Sequence, residues 1–288
     1  MTIFEVDILK ERDGWMVNFF LELNPIWQAT FAGIFTWAMT AFGSSIVFLF
    51  HEVNEKLLAI MNAFAAGVMF AASYWSLLAP AIDYADLSGY GNWSFMPALI
   101  GFLIGGAFLR LIDATVPHLH FGKDRSEAEG IESSLSSTAL LYLAITIHNI
   151  PEGLAIGVAF GAAAIGDSTS TIASAVILAL GIGLQNFPEG AALAMPIRAE
   201  GNTMGRAFNL GQSSALVEIV SATLGAWLVT QITIILPFAL AFAAGAMIFV
   251  CVEELIPKSQ ANGDFTDAAT MSFMIGFAVM MTLDVALG

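Results

Sequence analysis

The sequence predicts an all-α polytopic membrane protein of eight transmembrane helices with both termini outside. Three observations carry that prediction. The 288 residues are 58% hydrophobic and only 11% charged, too little polar surface to cover a water-soluble globule. Eight apolar runs are each long enough, at about 20 residues, to cross a hydrocarbon core. The basic residues flanking them (Lys56, Arg110, Lys123, Arg125, Arg198, Arg206 and Lys258) all fall at the ends that an alternating topology puts on one side. An excess of Lys and Arg marks the cytoplasmic side, which leaves the termini outside.

In chain order, residues 1–25 form an acidic lead-in with Glu5, Asp7, Glu11, Asp13 and Glu22. No basic region precedes an apolar core there, so it does not read as a signal peptide. Residues 26–288 form the transmembrane domain. The first span, roughly 26–50, and the second, 57–79, flank an inner turn with Lys56; an outer loop with Asp83 and Asp86 leads to the third, 95–116. The longest inner loop, about 117–137, mixes Gly, Ser, Glu and Lys, the composition of a flexible segment. The fourth span, 138–164, and the fifth, 170–195, meet at an outer loop with Asp167. The sixth, 207–232, seventh, 237–256, and eighth, 268–287, complete the set. The outer loops hold no Lys or Arg. Their negative charge either attracts cations over the roughly 8 Å that physiological salt permits or simply follows from topology and solubility.

Composition also bounds function. A net charge of −15 argues against a nucleic-acid partner. A single cysteine, Cys251, excludes an internal disulfide framework and a Cys-rich zinc module, so any metal site must use nitrogen and oxygen ligands. Cys251 itself reads as a small packing residue.

The main functional signal is a phrase written twice inside apolar stretches: His148-Asn149-Ile150-Pro151-Glu152-Gly153 and Gln185-Asn186-Phe187-Pro188-Glu189-Gly190. His148 and Glu152 are one helical turn apart, as are Gln185 and Glu189, so each copy presents half a site on one helix face. Pro151 and Pro188 cannot donate to the carbonyls of Ile147 and Leu184, which frees a backbone oxygen beside the polar groups. Gly153 and Gly190 leave room for close helix approach. The fourth span runs outward and the fifth inward. At 1.5 Å per residue both phrases lie roughly 15 Å above the inner surface, the pattern of an inverted repeat with a midplane site. Glu218 in the sixth span falls near the same depth.

Three carboxylates in a bilayer cost on the order of 2.5–3.5 kcal/mol each. With no Lys or Arg expected at that depth, protons or a divalent cation must compensate. One imidazole with carboxylates and amide oxygens suits Zn²⁺, Fe²⁺, Mn²⁺ or Cd²⁺ better than Cu⁺. Asn and Gln as interhelical glue and prolines as tolerated kinks are the alternative for one copy alone.

At these residues the chain resembles the ZIP (Zrt/Irt-like) family of divalent metal transporters, most closely its bacterial and GufA-like branch. Further matches are Ala65-Ala66-Gly67 leading to Ser73, Ala244-Gly245-Ala246-Met247 leading to Glu254, and the closing Leu283-Asp284-Val285-Ala286-Leu287-Gly288. The resemblance implies an eight-helix fold with both termini outside, a tendency to form homodimers, and passage of zinc and related metals into the cytoplasm. It also implies a two-metal centre. The first metal would be held by His148, Glu152, Gln185 and Glu189, and the second by Asn149, Glu152, Asn186, Glu189 and Glu218, the two glutamates bridging. Relatives often carry Asp where this chain has Asn186, which weakens the second site or makes its occupancy transient. Some carry His where this chain has Glu253.

Asp113, His118, His120, Glu253 and Glu254 map near the inner ends of the third and seventh spans, as an exit station or as solvated groups, with Asp113 paired to Arg110. Met69, Ser73 and Asp284 fall toward the outer half, where they line an access path or, for Met69, pack the core. These readings describe an inner or plasma membrane transporter and not an enzyme. It takes up Zn²⁺, with Fe²⁺, Mn²⁺ and Cd²⁺ as further candidates, and carries no ATP-binding motif. Binding would displace protons from any carboxyl or imidazole that holds one. The alternatives are an intramembrane zinc hydrolase, which usually recruits several histidines where only His148 lies at depth, and a proton relay through the acids.

Overall fold

The computed structural model describes residues 19–50, 54–119, 129–131, 133–165 and 171–287. Residues 1–18 of the lead-in, residues 120–128 and 132 of the 117–137 loop with His120, the Asp167 loop and Gly288 lie outside the described residues. Among the described residues, eight helices are long and apolar enough to cross a membrane: α1 Pro25–Phe48, α2 Glu55–Trp93, α3 Phe95–Thr115, α4 Ser137–Ala164, α5 Ile172–Ala199, α6 Met204–Gln231, α7 Thr233–Gln260 and α8 Gly263–Leu287. The only β-type pairing among the described residues is one antiparallel bridge, His118 to Glu129.

Local chemistry sets the helix starts. Asn24 before Pro25, Asn54, Ser136, Thr171 and Thr203 each accept a hydrogen bond from a backbone N–H of the first turn, satisfying donors that a helix leaves open.

Two helices depart from the predicted spans. The outer loop expected after residue 79 begins as helix, Ala79–Ala85, so Asp83 lies on a helix, and the chain then kinks at Gly89 (φ 89°) before α2 ends at Trp93. Pro80 is accommodated because a wide π-helical turn, Ser73–Leu78, precedes it and absorbs the carbonyl that proline cannot serve. The same device recurs in α7, where the π-helical run Cys251–Leu255 precedes Pro257. α6 breaks at Ala215 (φ −88°, ψ −1°), which starts a fresh helical segment with Glu218 in its first turn. The positive end of that segment's dipole lies close to the carboxylate.

The helices form two bundles. α1 packs most extensively on α5 and α4 on α6; α2 packs on α8 and α3 on α7. Exchanging α1 with α6, α2 with α7, α3 with α8 and α4 with α5 maps these pairs onto themselves, as an inverted repeat requires. The bundles meet along a seam of α2 against α5 and α4 against α7. Outward faces are apolar, with Leu99, Leu103 and Leu111 on α3 and Met271, Met274 and Ile275 on α8 exposed.

The core is interrupted at one level. One apolar cluster takes Ala155–Phe160 positions of α4, Leu178 and Ile182 of α5, and Ala222 and Ala226 of α6. A second takes Leu141 and Ile145 of α4, Leu193 and Ile197 of α5, and Ala207 of α6. Between them lies a buried polar layer: Thr36 and Thr40 of α1, both copies of the repeated phrase, and Glu218.

Candidate metal centre

Both phrases sit in unbroken helix through Pro151 and Pro188. Their glycines set how closely the layer packs. A Cβ on Gly153 would lie 2.5 Å from the Glu218 carbonyl oxygen, and one on Gly190 would lie 2.1 Å from that of Thr40. The fourth helix is thereby pressed on α6 and the fifth on α1.

The side chains of the layer form a chain across three helices. Gln185 Nε2 donates to Glu152 Oε1 at 2.6 Å and also to Asn186 Oδ1. Asn186 Nδ2 donates to both carboxylate oxygens of Glu218, at 2.8 and 2.9 Å, and to the Thr36 carbonyl at 3.2 Å. Asn149, Glu152, Gln185, Asn186 and Glu218 are all 1% exposed or less. Four atoms on three of them have no hydrogen-bond partner: Asn149 Nδ2 and Oδ1, Glu152 Oε2 and Gln185 Oε1. A buried polar atom left unpaired costs roughly 1–3 kcal/mol, so this concentration in one layer is unusual.

On the other side of Glu152 a small cavity of about 10 Å³ lies on the bundle seam, lined by Asn62, His148, Glu152, Glu189, Leu255 and Lys258 among others. His148 Nε2 stands 3.8 Å from Glu254 Oε1, and Glu254 pairs with Lys258. The expectation of no basic group beside the cluster is therefore corrected. Lys258 belongs to the last turn of α7, and its four-carbon stem carries the ammonium up from the helix end. The signal in the sequence was its spacing of four from Glu254.

Glu152 thus adjoins both arrangements. His148, Glu152 and Glu189 share the cavity, and Glu152, Gln185, Asn186 and Glu218 share the hydrogen-bonded chain. The amide nitrogens of Gln185 and Asn186 stand against the carboxylates. Turned about, each amide would offer its oxygen to a cation held by the same carboxylates.

The other predicted residues divide. Asp113 Oδ1 lies 2.7 Å from His118 Nε2, and Arg110 pairs with Asp113 Oδ2 at 3.4 Å. With Glu129, which sequence reasoning missed, Asp113 and His118 form the only group of three His, Cys, Asp or Glu among the described residues whose ligand atoms lie within 4.8 Å of one another. Glu254 points to His148 and Lys258, and Glu253 is half-buried on the same π-helical run. At the opposite end, Asp284 Oδ1 accepts from Ser76 at 2.7 Å while its Oδ2 is unpartnered. Asp284 lines a cavity of about 170 Å³ with Trp75, Ser76, Asp83, Thr171 and Ser174. Met69 and Ser73 are buried and do not line it, and Ser73 bonds back to the Met69 carbonyl. The π-helical turn rotates Ser76 onto the cavity, a rotation no regular helical period anticipates.

Comparison with known proteins gives consistent matches. The family described as ZIP Zinc transporter matches residues 120–284. Zinc transporter ZIP11 of Homo sapiens is 40% identical, the alignment covering 92% of this chain and 98% of the relative, and ZIP11 of Bos taurus gives the same values. Zinc transporter GufA of Myxococcus xanthus is 35% identical over 89% of this chain and 98% of its own length.

Proposed function

The chain belongs to the ZIP zinc transporter family, and from that premise we propose that it carries Zn²⁺ inward to the cytoplasm through the buried polar layer. It is a multi-pass membrane protein, and its family supports divalent metal transport. The intramembrane hydrolase alternative has no support in a family of transporters.

The observation that carries the site is the set of unpartnered atoms on Asn149, Glu152 and Gln185 in an otherwise apolar interior. A divalent cation engages such atoms and offsets the charge of the carboxylates together. On this reading His148, Glu152, Gln185 and Glu189 hold one metal, and Asn149, Glu152, Asn186, Glu189 and Glu218 a second. Asn186 supplies no charge, so the second site is the weaker. Fe²⁺, Mn²⁺ and Cd²⁺ suit the same donors.

The termini face outside, which puts the Asp284 cavity at the outer end and Glu254, Asp113, His118 and Glu129 toward the cytoplasm. His120 joins this exit group as a proposal that lies outside the described residues. The path follows the seam, so sliding of one bundle on the other opens it at one end and then the other. The membrane is the inner or plasma membrane, and the homodimer is its proposed assembly.

The test is Zn²⁺ and Cd²⁺ influx into proteoliposomes of verified orientation containing a metal-sensing dye. Native protein should load them and Glu189→Ala should not; influx that survives the substitution removes the site assignment. Asp284→Asn has a smaller expected effect. It removes a charge from the outer cavity and should raise the half-saturating metal concentration by about three- to tenfold, with maximal rate little changed. An unchanged half-saturation would take Asp284 out of the path.

A further inference from the structure

Lys258 occupies a place that a metal path should keep free of positive charge. Its ammonium pairs with Glu254, whose side chain is 1% exposed, while the Lys258 side chain itself is only 10% exposed. The other oxygen of Glu254 faces His148 Nε2 at 3.8 Å. The Lys258 side chain lines the same cavity as His148, Glu152 and Glu189. Glu254 and Lys258 belong to one bundle, and His148, Glu152 and Glu189 to the other, so the pair sits on the seam at the cytoplasmic side of the proposed site.

We propose that Lys258 is a tethered counter-ion that latches the inner side of the metal site. The inference rests on the transport reading above. A lysine ammonium is a compact charge on a flexible stem, suited to swing in and out of one position. Glu254 can neutralise that ammonium or help to receive a metal leaving His148, but the two cations repel each other within the same small cavity. Metal arrival therefore drives the ammonium off Glu254 toward the cytoplasm, which clears the inner side of the cavity and leaves Glu254 to the metal. Its return to Glu254 reseals the inner side and disfavours recapture of the released ion. Pro257 and the π-helical run Cys251–Leu255 shape this end of α7, placing Glu254 and Lys258 on one face.

The test uses Cd²⁺ as probe on the full chain, by calorimetry in detergent and by influx into proteoliposomes. Lys258→Gln removes the competitor. It should bind Cd²⁺ about tenfold more tightly, with KM and kcat both lowered because release is slowed. Lys258→Arg keeps the charge and should fall between native and Lys258→Gln. Unchanged or weaker Cd²⁺ binding by Lys258→Gln overturns the latch. A second arm covers a Lys258→Gln protein that fails to fold. Glu254→Gln leaves the ammonium without its partner and should weaken Cd²⁺ binding, and adding Lys258→Arg to it should not restore affinity, whereas restoration overturns the latch. Native protein that binds no Cd²⁺ removes the transport reading and the latch together. Native binding that Glu152→Ala abolishes, beside a Lys258→Gln that behaves as native, removes the latch alone.

Discussion

Replacing Glu152 with alanine is expected to lower metal affinity at least a hundredfold and to stop transport. Glu152 is the residue that adjoins both the seam cavity and the hydrogen-bonded chain through Gln185. In the proposed site it bridges both metals, so its loss removes a ligand from each. Loss of even an outer-shell partner costs about 10–100-fold at metal sites, and a shared direct ligand should cost more. A structural role predicts the reverse pattern of stability. Glu152→Gln, which keeps the volume, takes a charge out of an apolar interior and should be at least as heat-stable as native protein in metal-free buffer. Native protein should gain stability on adding Zn²⁺, by about 2.7 kcal/mol at a hundredfold excess over Kd, and the variant should gain little. A thermal-shift series with and without Zn²⁺ measures both. A variant that unfolds early and still responds to Zn²⁺ would show Glu152 to be scaffold.

The second large effect concerns packing. Gly153→Val should destabilise the protein by about 1–3 kcal/mol or more and displace Glu218 from Asn186. A Cβ at Gly153 would meet the Glu218 carbonyl oxygen at 2.5 Å and its Cα at 2.7 Å. Backbone atoms have no rotamer to retreat into, so α4 and α6 must separate. Gly106→Ala is the control, because the nearest atom to its Cβ would be the Gly245 carbonyl oxygen at 3.9 Å, an ordinary contact. Melting temperature and Zn²⁺ affinity should fall together in Gly153→Val and stay near native in Gly106→Ala. Equal behaviour of the two variants would contradict the close α4–α6 contact.

The two expectations draw on information of different kinds. Gly153 was legible as a close-approach residue from its place in the repeated phrase, but its partner on α6 was not. Glu218 was legible as a polar residue at matching depth, whereas its bidentate bond from Asn186 depends on the break at Ala215, which no proline or glycine announces.

The eight helices follow from local composition, because the bilayer demands about 20 apolar residues per span and every backbone group bonded within it. Caps such as Asn54 and Thr171 are equally local, since each bonds a donor three residues away. The polar layer follows from the sequence as well, since two copies of a costly phrase cannot hide in hydrocarbon. Tertiary structure alone decided which groups meet there. The helix count and depth follow from local hydropathy, but azimuth does not. The π-helical turns at Ser73–Leu78 and Cys251–Leu255 shift the face that follows them, bringing Ser76 to Asp284 and Lys258 to the cavity beside His148. Contacts such as Gln185 with Glu152 and Lys258 with the seam cavity depend on how two helices rotate about their own axes. That rotation is set by packing along their whole length, and so by residues far from the contact in sequence.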